Sequence, residues 1–315
     1  MRTSNSDRLT PSGIGLDIGG TKLAGAVIDP SGSVVARDRR DTPRGDGEAV
    51  VKVCIQSAEH LLQVARSGGL VPGPIAIAMP GTIDGRTGTV VDSPVLSMRR
   101  VPIVEIAQQA LGHPVTVLHD VKAAAFGELV AGAGIGTADA AYLNLGTGVS
   151  IAFVFGWKVH QGSSGTAGEI GHVVVEPDGP LCNCGRRGCL ETVASGPAIA
   201  RAAGQADGRL ESVAEAARLG DERAIEAFAR AAEYLGQVLA DFAMVMDVGL
   251  LMVGGGVSEV GPALLVPLQQ SLDRHLDDVV ESVTVLPAAM GADSGVIGAA
   301  HWSRLVHNGG TSHSW

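Results

Sequence analysis

Gly13-Ile14-Gly15-Leu16-Asp17-Ile18-Gly19-Gly20-Thr21-Lys22-Leu23-Ala24-Gly25-Ala26-Val27-Ile28 reads as a strand, a glycine turn and a returning strand. Between the two apolar runs sit two glycines, a hydroxyl and a lysine. Glycines let the backbone approach a phosphate, and successive N–H groups form an anion nest. Thr21 and Lys22 add a hydroxyl and a positive charge, and Asp17 is placed to join a Mg²⁺ shell. The octet Gly15 to Lys22 lacks the four variable residues that a P-loop needs before Gly-Lys-Ser/Thr. A plain tight hairpin accounts for the same residues, so the turn alone leaves both readings open.

The pattern continues outward. Asp29-Pro30-Ser31-Gly32 is a turn cluster, and Ser33 to Arg37 returns as a third strand. Val50, Cys54, Ala58, Leu61 and Ala65 fall at helical spacing. Pro74 to Met79 and Val115 to Leu118 are short buried strands, and Val121 to Val130 is an Ala-rich helix. The opening then recurs. Tyr142 to Leu145, Gly146-Thr147-Gly148 and Val149 to Phe155 form another strand, glycine turn and strand, followed by a short third strand after Gly156-Trp157. A shift of 126 lays Gly20-Thr21 over Gly146-Thr147, since 20 + 126 = 146. Later, Ile225, Phe228, Ala232, Leu235, Leu239 and Phe242 mark one face of a long helix. Leu250 to Val253 is a strand running into Gly254-Gly255-Gly256-Val257, and Gly295 to Ala300 opens a final helix. Strands alternating with helices imply a duplicated α/β protein with ligands at strand C-terminal ends.

Composition agrees. Hydrophobic residues are 45% and aromatics only 3%, so the core is filled by Val, Ile, Leu and Ala, as in buried sheets under Ala-rich helices. The net charge of −10, with no basic cluster, argues against nucleic acid. Arg37 to Arg44, interrupted by Asp38, Asp41 and Pro43, reads as a solvated strand end and loop. Met1 to Gly13 is polar and lacks a signal core, and Leu239 to Val257 carries Asp241 and Asp247, so no membrane span is expected. A cytoplasmic protein follows.

Three cysteines crowd together in Cys182-Asn183-Cys184-Gly185-Arg186-Arg187-Gly188-Cys189-Leu190-Glu191, preceded by Gly168-Glu169-Ile170-Gly171-His172. In a cytosolic setting this favours metal over disulfide. His172, Cys182, Cys184 and Cys189 make a closed Cys₃His set, the signature of structural zinc. Cys54 reads as a buried core thiol. Asp120 follows a strand and opens a helix, so it is either an N-cap or a general base; the two roles are compatible. Gly146-Thr147-Gly148, Gly254-Gly255-Gly256 and Gly291-Ala292-Asp293-Ser294-Gly295 are further glycine turns able to cradle a nucleotide.

With these motifs assembled, the chain resembles the ROK family of sugar kinases and repressors, in particular its glucokinase branch, from about Gly13 to about Trp302. The resemblance implies a duplicated actin-like (ribonuclease H-like) fold. Its expected parts are a small domain over 1–121 plus 299–315 and a large zinc-bearing domain over 122–298, with the active site in a cleft. It implies ATP, Mg²⁺ and structural Zn²⁺, with sugar and ATP as ligands and a homodimer or homotetramer as the assembly. Asp120 falls on the catalytic Asp that deprotonates the sugar's primary hydroxyl. Gly81, Val95, His119, Asp120, Glu169, His172 and Glu191 fall on sugar contacts. Asp17, Gly19, Gly20, Thr21, Lys22, Gly146, Thr147, Gly148, Gly254 and Gly255 fall on nucleotide loops. Family repressors carry an N-terminal helix-turn-helix, and only about a dozen polar residues precede the first strand here, so the kinase branch is expected over a sugar-sensing regulator.

The departures are local. The family's Ser-Pro-Asn-Leu is Ser93-Pro94-Val95-Leu96 here, and its Asn-Asp-x-Asn is His119-Asp120-Val121-Lys122. The amides lost at 95 and 119 belong to the family's contacts near the ring's 3- and 4-positions. After Gly148, Val149-Ser150-Ile151 replaces further glycines. The expectation is 6-phosphorylation of a modified glucose, with a 3-amino sugar such as kanosamine leading and ordinary glucose as the alternative.

Overall fold

Strands β1 (Ser12–Ile18) and β2 (Lys22–Ile28) pair antiparallel, with Ile18 opposite Leu23 and Gly13 opposite Ile28, as the opening stretch implies. The computed structural model describes residues 11–205, 208–256, 260–276 and 282–307; Val257 lies outside them. By contact density the chain divides into two units. The first is Met1–Ala131 with Gln161–Ala167 and Asp293–Trp315, and the second is Gly132–His160 with Gly168–Ala292.

In the first unit, β3 (Val34–Asp41) adds antiparallel to β2, and the strand runs four residues past Arg37. Its alternating exposure makes it a half-solvated edge, with Arg37 paired to Asp293 at 2.9 Å and Arg40 to Asp38 at 2.7 Å. Helix α1 (Gly47–Ser67) starts where the Asp46 side chain accepts the Ala49 N–H, satisfying a donor that the first turn leaves free. Its Val50, Cys54, Ala58, Leu61 and Ala65 are buried, as their spacing requires. Strand β4 (Pro72–Met79) lies parallel to β1. A small antiparallel sheet of β5 (Thr82–Asp84), β6 (Thr89–Ser93) and β7 (Met98–Val101), with helix α2 (Ile103–Leu111), precedes β8 (Val115–His119), which is parallel to β4. Helix α3 (Asp120–Ala131) then packs on the C-terminal helix Ser294–His307. Gly127 lies against the Ser294 backbone and Gly298 against Ala123, so close that a Cβ on either would collide. Phe126 and Trp302 meet edge to face, with centroids 5.5 Å apart. The boundary expected after residue 121 falls inside α3. The helix stays in the first unit because this small-residue contact joins it to the C-terminal helix.

The second unit repeats the plan. Strands β9 (Ala140–Leu145), β10 (Val149–Phe155) and β11 (Lys158–Val159) form the antiparallel meander. Helices α4 (Leu190–Ala194), α5 (Gly196–Ala202), α6 (Leu210–Arg218) and α7 (Glu222–Met246) follow, then β12 (Leu250–Gly254), α8 (Pro262–Leu276) and β13 (Thr284–Pro287). Strand β12 is parallel to both β9 and β13. The two main sheets run β3-β2-β1-β4-β8 and β11-β10-β9-β12-β13, the same order twice. The repeat slips by one residue at the turn. Leu23 to Val149 is a step of 126, whereas Ile18 to Leu145 is 127, because the second turn is one residue shorter. On α7, Phe228, Ala232, Leu235 and Leu239 are buried, but Ile225 is half exposed and Phe242 only partly covered. The small Ala224 and Ala227 take the buried side of the first turns instead. Among the described residues no helix is long and apolar enough to cross a membrane.

Candidate active site

The first unit gathers one set of expected residues. Asp17 is the penultimate residue of β1, and the turn closes with the Gly19 N–H donating to the Lys22 carbonyl at 2.9 Å. Val95, 60% exposed, reaches this turn: its Cγ1 lies 2.7 Å from where a Cβ on Gly20 would stand. Gly81 follows β4 with φ +117°, and a Cβ there would meet the Asp92 carbonyl and Ser93. Any side chain at 81 would be strained twice over. His119 ends β8 and Asp120 begins α3, side by side, with His119 Nδ1 3.0 Å from Asp120 Oδ1. The Val121 N–H donates to Asp120 Oδ1 at 2.8 Å, so a capping bond at the helix start is present. Burial, reinforced by the negative charge of Asp120, pushes the Asp17 carboxyl up to about 7. A divalent cation would reverse that preference.

Lys122, which in the sequence is only one member of a changed motif, is almost wholly buried. Its ammonium donates to the Gln161 carbonyl at 3.2 Å, the Gln161 Oε1 at 3.0 Å and the Gly165 carbonyl at 2.7 Å. The segment Gln161–Ala167 is thereby tied to α3. Beside it opens a cavity of about 500 Å³, bounded by Ile83, Arg86, Thr116, His119, Ser164 and Trp302 among others. Neither the clasp nor the cavity had a signal in the residue pattern, because a lysine in an Ala-rich helix reads as solvated.

The second unit gathers the rest. Gly146-Thr147-Gly148 turns between β9 and β10, with the Gly146 N–H donating to the Gly148 carbonyl at 3.0 Å. Glu191, in the first turn of α4, lies against this turn, its Oε2 2.7 Å from a Cβ position on Gly148. A side chain at 148 would displace that carboxylate. Glu169 is exposed and precedes a single 3₁₀ turn, Ile170–His172, which the Ile151 N–H ties to β10 through the Gly168 carbonyl at 2.9 Å. Gly254 ends β12 against the Tyr142 ring, and Gly255 has φ +85°.

His172 Nδ1 lies 3.6 Å from Cys182 Sγ, and the Sγ atoms of Cys184 and Cys189 are 3.6 Å apart. All four donor atoms fall within 4.8 Å of one another. A tetrahedral zinc with Zn–S of about 2.3 Å needs sulfurs about 3.8 Å apart, so the set fits. The Arg186 backbone N–H, with its guanidinium, pulls the Cys184 thiol down to about 6. Burial and the neighbouring thiols push Cys189 up to about 12. A bound cation would draw both into thiolate form. With Nδ1 facing the sulfurs, His172 keeps Nε2 for a second partner.

Residues 13–305 match the ROK family. A glucokinase of Streptomyces coelicolor is 33% identical over 313 residues, covering 92% of this chain and 97% of its own. An N-acetylmannosamine kinase of Yersinia pseudotuberculosis is 33% identical, covering 93% and 98%. The crystal structure of a ROK family glucokinase from Streptomyces griseus, in complex with glucose and AMPPNP, superposes with TM-score 0.79 at 34% identity, covering 93% and 99%.

Proposed function

This chain belongs to the ROK family and is an ATP-dependent sugar kinase of duplicated actin-like fold, and on that premise we propose that it phosphorylates the 6-hydroxyl of a 3-amino hexose. The carrying observation is the pair of departures at Val95 and His119, both in the first unit with Asp120. Val95 presents an apolar, exposed side chain at the glycine turn. A 3-ammonium is a donor-only group, so amide N–H donors opposite it would be misplaced. Valine removes one, and a neutral imidazole offers a lone pair.

In the proposed reaction Asp120 accepts the proton of the 6-hydroxyl. The freed oxygen attacks the γ-phosphorus, the bond to the β-phosphate oxygen breaks, and ADP departs. Phosphoryl transfer asks mainly for positioning and charge stabilisation. Asp17, Gly19, Gly20, Thr21 and Lys22, with Gly146, Thr147, Gly148, Gly254 and Gly255, are assigned to the nucleotide, and Asp17 to the Mg²⁺ shell. When bound, Mg²⁺ supplies charge neutralisation at the phosphates. Gly81, Val95, His119, Glu169, His172 and Glu191 are assigned to the sugar. Zinc on His172, Cys182, Cys184 and Cys189 would fix the imidazole and the loop that leads to Glu191.

Glucose is the second reading, favoured by the glucokinase relatives. The deciding measurement is kcat/KM for kanosamine, glucosamine, N-acetylmannosamine and glucose side by side, by ADP release. Kanosamine is expected to lead. Glucose equal or better would reject the amino-sugar assignment.

A further inference from the structure

Alternate residues of a strand share one face, and on β1 one such face carries Gly13, Gly15 and Asp17. The two glycines lie against the C-terminal helix Ser294–His307. A Cβ on Gly13 would strike the Ala300 carbonyl, and one on Gly15 the Ala300 nitrogen and the Val296 carbonyl. The helix therefore rests directly on the strand backbone and runs opposite to it, so its first turn arrives where β1 ends. There Asp17 meets Gly295, the second residue of the helix. The three heavy atoms nearest to a Cβ position on Gly295 all belong to the Asp17 carboxyl group. Oδ2 is closest, Cγ lies at 2.7 Å and Oδ1 at 3.3 Å. The φ of Gly295 is not positive, so backbone conformation makes no demand for glycine there. The volume taken by the Asp17 carboxylate does. Neighbouring side chains are engaged elsewhere: Asp293 pairs with Arg37 at 2.9 Å, and Ser294 Oγ donates to Glu128 Oε1 at 2.6 Å. The positive end of the helix dipole favours a carboxylate at this place.

We propose that Gly295 is a positioning residue for Asp17: lacking a side chain, it seats the carboxylate on the first turn of the C-terminal helix, with Oδ2 inward and Oδ1 farther from the helix. The inference rests on the assignment of Asp17 to the Mg²⁺ shell, and a carboxylate oxygen is a donor that suits this ion. It also gives the run Gly291–Gly295 a role other than a nucleotide cradle, because the last glycine acts through a carboxylate. The site offers a clean probe. A methyl at 295 would meet the end of a side chain that can rotate, whereas a methyl at 13 or 15 would meet main chain. Gly295→Ala therefore moves the carboxylate and leaves the helix seated.

The gain in ATP affinity that Mg²⁺ brings, measured by calorimetry without sugar as Kd in its absence over Kd in its presence, tests this. Gly295→Ala should cut that ratio by at least about tenfold, the cost of losing an outer partner of a metal ligand. In an Asp17→Ala background the same substitution should change it by less than about twofold, since its effect runs through the carboxylate. A wild-type ratio in Gly295→Ala, or equal losses in both backgrounds, overturns the inference. Thermal unfolding in metal-free buffer supplies a second arm that needs no nucleotide. Alanine favours a helix over glycine, and in Asp17→Ala the methyl enters space that the carboxyl has left. Gly295→Ala should therefore raise the melting midpoint in that background, and raise it less or lower it in the wild type. A Gly295→Ala chain that folds only when residue 17 is also alanine supports the seat. Equal midpoint shifts in both backgrounds overturn it, as does a double variant that fails to fold where Asp17→Ala folds. An Asp17→Ala chain that keeps the wild-type Mg²⁺ gain, with the midpoint shifts as expected, would instead defeat the Mg²⁺ assignment itself, so the two failures are told apart.

Discussion

Asp17, at the end of β1, lies within electrostatic reach of Asp120 at the start of α3, and the pair cannot both ionise freely. Burial and this repulsion hold Asp17 protonated up to about pH 7. Between the ordinary carboxyl range near 4 and about 7, the folded chain keeps a proton that the unfolded chain has released. The unfolded state thus binds fewer protons, and stability falls as pH rises through that window. In magnesium-free buffer the denaturation midpoint should decline from about pH 4.5 to about pH 7. Asp17→Asn should flatten the decline. A wild-type midpoint that climbs across the same range would contradict the assignment.

The Cys₃His set leads to a prediction with a direct assay. Freshly purified protein should carry about one zinc per chain. Loss of an outer-shell partner costs metal affinity about 10- to 100-fold, and Cys184→Ala, which removes a ligand, should cost more. Stability and sugar affinity should fall together, since the same loop leads into α4 and Glu191. Metal analysis by mass spectrometry that finds no zinc would refute the site.

Asp120→Asn should lower kcat by about 10²- to 10⁴-fold, the usual contribution of a placed base. The amide keeps its carbonyl oxygen for the Val121 N–H, so the helix start survives. Sugar and ATP binding should remain measurable by calorimetry. Wild-type turnover in this variant would leave Asp120 a helix cap and nothing more.

Much of this arrangement was legible in the residues, and the exceptions have physical causes. The two glycine-turned hairpins stood out because apolar runs flank each turn, and the sheet order confirms the duplication. The clustering of His172 with three cysteines was legible because the cysteines lie within eight residues. The small sheet of β5, β6 and β7 escaped notice because its strands are short and carry Asp84, Asp92, Arg99 and Arg100. Ile225 followed helical spacing, but periodicity cannot tell where along a helix the core begins, and it remains half exposed. Glu169 and Glu191 had no signal of their own and entered through family resemblance alone. The burial of Lys122 depends on a segment some forty residues away, which no local pattern encodes.

That clasp is itself testable. Lys122→Met keeps the aliphatic stem but leaves the Gln161 and Gly165 oxygens without their donor. A buried group stripped of its partner costs about 1–3 kcal/mol. Urea denaturation should show a loss of that size. The sugar KM should rise more than kcat falls, because the released segment lines the cavity beside His119. Unchanged stability would mean that water replaces the ammonium at no cost.

The sharpest prediction concerns the two departures together. If Val95 and His119 set acceptor choice, restoring both amides should move specificity toward glucose. Val95→Asn returns a donor and an acceptor beside the glycine turn, where the valine is 60% exposed and the larger polar head has room. His119→Asn returns an amide N–H to the ligand. Each change alone leaves one mismatched partner, so the gain should exceed the sum of the single variants, as expected for residues that contact one ligand. A site built to bond a hydroxyl discriminates by up to about 10⁴-fold or more. Even partial recovery should shift the ratio of kcat/KM for glucose over kanosamine by at least about tenfold. The ratio is the proper readout because a general loss of activity from imperfect packing cancels from it. A double variant whose ratio stays at the wild-type value, with zinc content and melting midpoint intact, would show that acceptor choice is made elsewhere. The wall contributed by Arg86, Ser164 and Trp302 would then be the next place to substitute.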